Sequence, residues 1–251
     1  MNTRYGICIG MANLACLFLA SAPAAAKSCN NATLNGAYGA LYSGFFGGPK
    51  SPTGAIFRLV ADGQGNVTGT GTQSDNGTIE AETVTGTYSI SKNCTGTMAL
   101  IDQNDVHADY NFVFDEGNDH VEFVRTDATV NESGEGAALG TATCGFPAKA
   151  KRIFANRSRE IGTFLVDIVG QVTFDGKGNA SAIETFMING ALQTAKMSGT
   201  YSVNPDCTGT ITLKAGSDTY DFAIVAVDNQ QTLLLIDTDP TNINVGIAHA
   251  Q

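Results

Sequence analysis

Asp62-Gly63-Gln64-Gly65-Asn66 returns, 113 residues on, as Asp175-Gly176-Lys177-Gly178-Asn179. The same offset carries Gly86-Thr87-Tyr88-Ser89 onto Gly199-Thr200-Tyr201-Ser202, and Asn93-Cys94-Thr95-Gly96-Thr97 onto Asp206-Cys207-Thr208-Gly209-Thr210. Farther along, Tyr110-Asn111-Phe112 answers Tyr220-Asp221-Phe222 at an offset of 110, and Thr126-Asp127 answers Thr238-Asp239 at 112. Surface loops of unequal length absorb such drift. The chain is therefore read as two copies of one unit. Each copy, about 110 residues, is long enough to bury a core of its own.

Outward from the glycine turns, the pattern is one of short strands. Phe57, Leu59 and Ala61 alternate with Arg58 and Val60; Val172 and Phe174 alternate with Gln171 and Thr173. Tyr88 and Ile90, Met98 and Leu100, and Tyr110, Phe112 and Phe114 keep the same period, as do their partners in the second copy. A period of two places these side chains on one face of a sheet. The Asp-Gly-x-Gly-Asn stretches suit tight hairpins, because glycine accepts positive φ. One aspartate and one asparagine are too few oxygens for calcium, and the EF-hand spacing is not met. About eight strands per unit at this cadence imply an all-β fold: two tandem antiparallel barrels of lipocalin-like proportions, or two sandwiches, or one barrel shared by both copies. Closure into barrels hides the edges of a self-contained unit, so two barrels are expected.

The cysteines follow the repeat. Cys29 and Cys94 lie 65 apart, Cys144 and Cys207 lie 63 apart, and each pair ends in the C-T-G-T element. Of the three pairings that four cysteines permit, Cys29–Cys94 and Cys144–Cys207 close each unit on itself. Each bridge would contribute roughly 3–4 kcal/mol on the chain-entropy model. A four-thiolate metal site lacks its C-x-x-C spacing.

Residues 1–26 read as an export signal: Arg4, an uncharged apolar run from Tyr5 to Ala20, then Ala24-Ala25-Ala26 before cleavage. A lipid anchor at Cys16 is the competing reading. The domains are then 27–144, a basic connector 145–160, and 161–251. The connector carries Lys149, Lys151, Arg152, Arg157 and Arg159, with a helical turn expected near Ala148–Ala155. It is either a solvated link or a docking site for an acidic partner or an anionic ligand. Loss of Arg4 leaves 13 of the 14 basic residues against 24 acidic ones. So acidic a chain is not expected to bind nucleic acid or an anionic membrane. No later stretch is long and apolar enough for a transmembrane helix, and a periplasmic or extracellular location is expected.

The residue types that the copies share build turns, strands and staples. No G-x-S-x-G elbow is present, and the three histidines, His107, His120 and His249, are not repeated. Candidates for acid–base chemistry cluster around one hairpin: His107, Asp109, Tyr110, Glu122 and Arg125. Arg125 is answered by Asp237 in the second copy, so such chemistry would belong to the first copy alone. Neither a cofactor nor a resident metal is expected. Tyr38, Tyr42, Phe45 and Phe46, set among glycines before Pro49 and Pro52, could line the mouth of a pocket for an apolar ligand. The competing role for these rings is to fill the first core. Phe164-Leu165-Val166 is the comparable place in the second copy.

The run Gly199-Thr200-Tyr201-Ser202-Val203-Asn204-Pro205-Asp206-Cys207-Thr208-Gly209-Thr210, after its D-G-x-G-N turn, resembles a group of exported bacterial proteins of unassigned activity. The motifs concerned are structural, so the resemblance implies a fold and not a reaction. The expectation is an exported, non-catalytic protein that binds a small apolar ligand or a surface partner. A cyclase- or isomerase-type enzyme on a small barrel, or a structural component of the cell surface, is the alternative.

Overall fold

The computed structural model describes residues 28–48, 51–115, 117, 119–140, 143–146, 151–161, 165–188, 190–240 and 243–251; the stretch 1–26 expected to be an export signal, Pro49, Lys149 and Phe164 lie outside them. The first unit holds β1 (Asn35–Phe46), β2 (Pro52–Asp62), β3 (Asn66–Asp75), β4 (Thr78–Ile90), β5 (Thr95–Asp102), β6 (His107–Phe114), β7 (His120–Arg125) and β8 (Val130–Ala138). Each pairs antiparallel with the next, and β1 pairs with β8 to close an eight-stranded barrel. The second unit repeats this with β9 (Arg152–Ile161), β10 (Leu165–Phe174), β11 (Asn179–Ile188), β12 (Ala191–Val203), β13 (Thr208–Ala215), β14 (Asp218–Val227), β15 (Thr232–Asp237) and β16 (Ile243–Ala250), and β16 closes on β9. Two separate closed barrels thus replace the sandwich and shared-barrel alternatives. The disulfides are Cys29–Cys94 and Cys144–Cys207.

The glycine turns hold themselves together. Asp62 Oδ1 accepts the backbone N–H of Gln64, Gly65 and Asn66 at 2.7, 3.0 and 2.9 Å, while its Oδ2 takes the Asn66 amide at 2.6 Å. Those bonds, the Asn66 side chain first, hold the Asp62 carboxyl down at about 2. Asp175 binds Lys177 and Asn179 in the same way. The motif is a hairpin device whose oxygens are spent on its own backbone.

The barrels lie wall to wall. On the wall that faces the first barrel, Val225 and Val227 of β14, Leu234 of β15 and Val245 and Ile247 of β16 point outward and are at least nine-tenths buried. They join Leu41 and Ile56 of β1 and β2 in one apolar cluster. Two glycines permit the contact. A Cβ on Gly39 would collide with Val227, and one on Gly54 would lie 2.8 Å from Val245. The seam is edged by Arg58 Nε donating to the Asp206 carbonyl at 2.8 Å, and by His120 Nε2 3.4 Å from Asp228 Oδ1.

Three expectations are corrected. The connector does not reach residue 160, because Arg152–Ile161 is β9, bonded on both sides by β10 and β16. Ala155 lies in that strand, so the expected helical turn there is absent; residues 147–150 lie outside the described residues. Arg152 is no free docking charge. It lies 5.4 and 5.3 Å from the rings of Phe146 and Phe154, and its Nη2 donates to the Gln230 carbonyl at 2.7 Å. Burial pulls its guanidinium below its ordinary value. Second, Cys144 belongs to the second unit, since it binds Cys207 of that barrel. Third, the ladder answers Tyr110 with Phe222 and not Tyr220: Met98 faces Tyr110, and Ile211 faces Phe222.

Candidate functional site

The shared ladder builds two very different interiors. The first barrel encloses a cavity of about 290 Å³ and the second one of about 30 Å³. Residue exchanges at matched rungs account for this. Phe174, fully buried, stands where the first unit has Ala61 at the same step before its glycine turn. Tyr220 stands where it has Ala108, opposite Leu213 and Leu100 respectively. Phe146, tied down beside Cys144, lies 5.1, 5.5 and 5.9 Å from the rings of Phe174, Tyr201 and Phe154. In the first unit a 3-10 turn, Asn31–Thr33, closes the same end without entering. Asn31 Oδ1 accepts the Ile90 N–H at 2.8 Å, and Tyr88 Oη donates to the Leu34 carbonyl at 2.7 Å.

The closed end of the first cavity is apolar, with Leu34, Val67, Val84, Leu100 and Phe112 on its wall. Midway, Tyr42 stacks with Phe57 at 6.2 Å, and Tyr110 meets Phe123 edge-on at 5.6 Å. Tyr42 Oη donates to Gln73 Oε1 at 2.7 Å. Burial raises both phenols above their ordinary value, reinforced in each case by Glu132, so both stay neutral. The other end is strongly acidic: Asp75, Glu80, Glu82, Asp102 and Glu132 line it, and Arg125 is the single base among the described lining residues.

Arg125 is already committed. Its Nε lies 2.6 Å from Asp127 Oδ2 and its Nη1 3.1 Å from Glu132 Oε2, while Nη2 donates to the His107 carbonyl at 3.0 Å. Burial works to lower the Arg125 pKa, but the Asp127 bond and the Glu132 charge outweigh it and hold the guanidinium charged. Burial also works against Asp127, which Arg125 nevertheless holds below the usual carboxylate range. Glu132, at 1 % exposure, stays above it because burial outweighs the shared arginine. Arg125 and Glu132 are exchanged in the second barrel for Asp237 and Asn244 on the matched rungs.

Glu82 has no such partner among the described residues. It is inward on β4, 6 % exposed, and faces Gly71 across the ladder. Burial, then the charges of Asp102 and Glu80, push its carboxyl up. On the matching rung of the second barrel the acid stands on the opposite strand, where Glu184 faces Ala195. There it is answered from within: Asn156 Nδ2 donates to Glu184 Oε1 at 2.7 Å.

The expected acid–base group is split by the barrel wall. Tyr110 and Arg125 point in and line the cavity; His107, Asp109 and Glu122 occupy the alternate, outward positions and are exposed. No single face carries all five. Of the expected pocket aromatics, Tyr38, Tyr42 and Phe46 line the cavity, while Phe45 falls on the opposite phase of β1. The counterpart of Tyr38 is Phe154, not the stretch beginning at Phe164, because Tyr38 faces Leu59 and Phe154 faces Val172. Among the described residues, no three histidine, cysteine or carboxylate side chains gather closely enough to hold a metal ion, and no helix is long and apolar enough to cross a membrane. The inward acids are functional residues that residue type alone does not reveal. Their signal was the spacing: Glu80 and Glu82 keep the same period-two phase as Val84, Tyr88 and Ile90.

No family model and no curated protein matches the chain. Solved structures match loosely. Isotype 1 transferrin binding protein B from serogroup B Neisseria meningitidis aligns over 86% of this chain and 76% of its own, at 7% identity and a TM-score of 0.32. The intact Ap-TbpB, with its N and C lobes, aligns over 86% and 76% at 8% identity and a TM-score of 0.33. CghA aligns over 85% and 87% at 7% identity and a TM-score of 0.27.

Proposed function

We propose that this is an exported binding protein whose first barrel is a calyx for a small molecule with an apolar body. The observation that carries the reading is the contrast between cavities of about 290 and 30 Å³ on one ladder pattern. Protein interiors are close-packed, so an unfilled, largely apolar space of this size at the heart of a unit favours a ligand. The second barrel, filled by its own rings, serves as scaffold. Two disulfides support an oxidising compartment. Tyr110 and Arg125 are assigned to shaping the pocket, since His107, Asp109 and Glu122, the other members of the expected acid–base group, lie on the other side of the wall.

The test transplants the filler. Ala61→Phe gives the first barrel the ring that the second has at Phe174. Calorimetric titration with octan-1-ol should show binding to the wild type and its loss in Ala61→Phe, with circular dichroism and both disulfides unchanged. Equal binding by the two proteins would place the ligand elsewhere and overturn the reading.

A further inference from the structure

Resting on the calyx reading, we infer that the ligand carries a cationic head: an amine or quaternary ammonium on an apolar body, with the head held against Glu82. Three observations converge. Glu82 is a carboxylate more than nine-tenths buried, it lines the cavity, and no described residue pairs with it. Burying a charge without a partner is costly, and proteins rarely keep one unless something answers it. The second barrel shows that this fold can answer such an acid internally, with Asn156 on Glu184, and the first barrel does not do so.

The surroundings of Glu82 add the same sign. Asp75, Glu80 and Asp102 line the same end of the cavity, and the one base, Arg125, is held by Glu132 and Asp127. An anionic head would meet uncompensated carboxylates. A neutral head would leave Glu82 as it is. A cation would be drawn in by the acidic rim and could also lie against the rings of Tyr42 and Phe57, which line the cavity beside it. The apolar tail would then run toward Val84, Leu100 and Phe112.

The experiment uses probes that share a chain and differ in the head: octylamine, octyltrimethylammonium, octan-1-ol and octanoate, titrated calorimetrically into the mature protein at pH 7. Each cation should bind roughly tenfold or more tighter than the alcohol, and octanoate should bind more weakly still. Glu82→Gln should remove most of that advantage, read as the ratio of amine to alcohol affinity in the same variant; Glu80→Gln, at the exposed rim, should remove less. If the amine and the alcohol bind alike, or Glu82→Gln leaves that ratio unaffected, the cation inference fails while the calyx stands. If no probe binds, or Ala61→Phe still binds them all, the calyx reading itself fails.

Discussion

Glu82 makes the unliganded first barrel sensitive to pH in a defined direction. Its carboxyl is raised above an ordinary 4.5 by burial and by Asp102 and Glu80, so the folded chain holds that proton more tightly than the unfolded one. The stability it lends is complete below about pH 4.5 and is lost as pH rises through the folded pKa. Glu82→Gln should therefore raise the Tm of the ligand-free protein at pH 7 and leave it unchanged near pH 4, measured by thermal unfolding at both values. A variant that melts lower at pH 7 would show Glu82 to be satisfied in place. Arg125 has the opposite role. Its side chain is 8 % exposed, and removing it strands Glu132 at 1 %. Arg125→Asp should cost about 3 kcal/mol or more in denaturant unfolding. Adding Glu132→Asn, which copies the second barrel's Asp237 and Asn244, should recover a large part of that loss. At this scale the sequence was half legible. The aspartate turns and cysteines declare themselves because their chemistry is local. Whether Arg125 faces inward, with Asp127 and Glu132 around it, depends on strand phase in three dimensions.

Strands with one wet face alternate, and these were readable: Phe57, Leu59 and Ala61 lie inside as their period requires. Strands buried on both faces do not alternate. Ala223–Val227 and Leu233–Ile236 are continuous apolar runs because one side fills the second barrel and the other packs on the first. That continuity was the available sign of the seam between the units. The basic stretch misled for the converse reason. Arg152, Arg157 and Arg159 suggested solvent, yet Phe154 and Asn156, on the same phase as Arg152, are core positions of β9. The seam itself depends on its two glycines. Gly39→Val would press a branched side chain into Val227 and Val225 and should destabilise the protein by about 1–3 kcal/mol. Scanning calorimetry should show one transition for the wild type and separate melting of the barrels in the variant. An unchanged single transition would mean that the walls are not locked together.

Duplication gives the molecule two barrels of one construction with divergent interiors. The ladder, the turns and the bridges are shared; the interior is not, and a handful of exchanges separates the pair. Ala61 against Phe174 and Ala108 against Tyr220 decide whether space is left, and Asn31 against Phe146 decides how the end is closed. The repeat revealed the architecture because the shared residues are those that build it. It could not reveal the cavity, which arises where the copies differ and only after the register is known. The most direct measurement of that divergence is a crystal structure of the ligand-free protein under xenon pressure. Xenon should occupy the first barrel among Val84, Leu100 and Phe112 and be absent from the second, whose interior is closed by Phe146, Phe154 and Phe174. A first barrel collapsed onto its own side chains, or xenon distributed alike in both, would contradict the account.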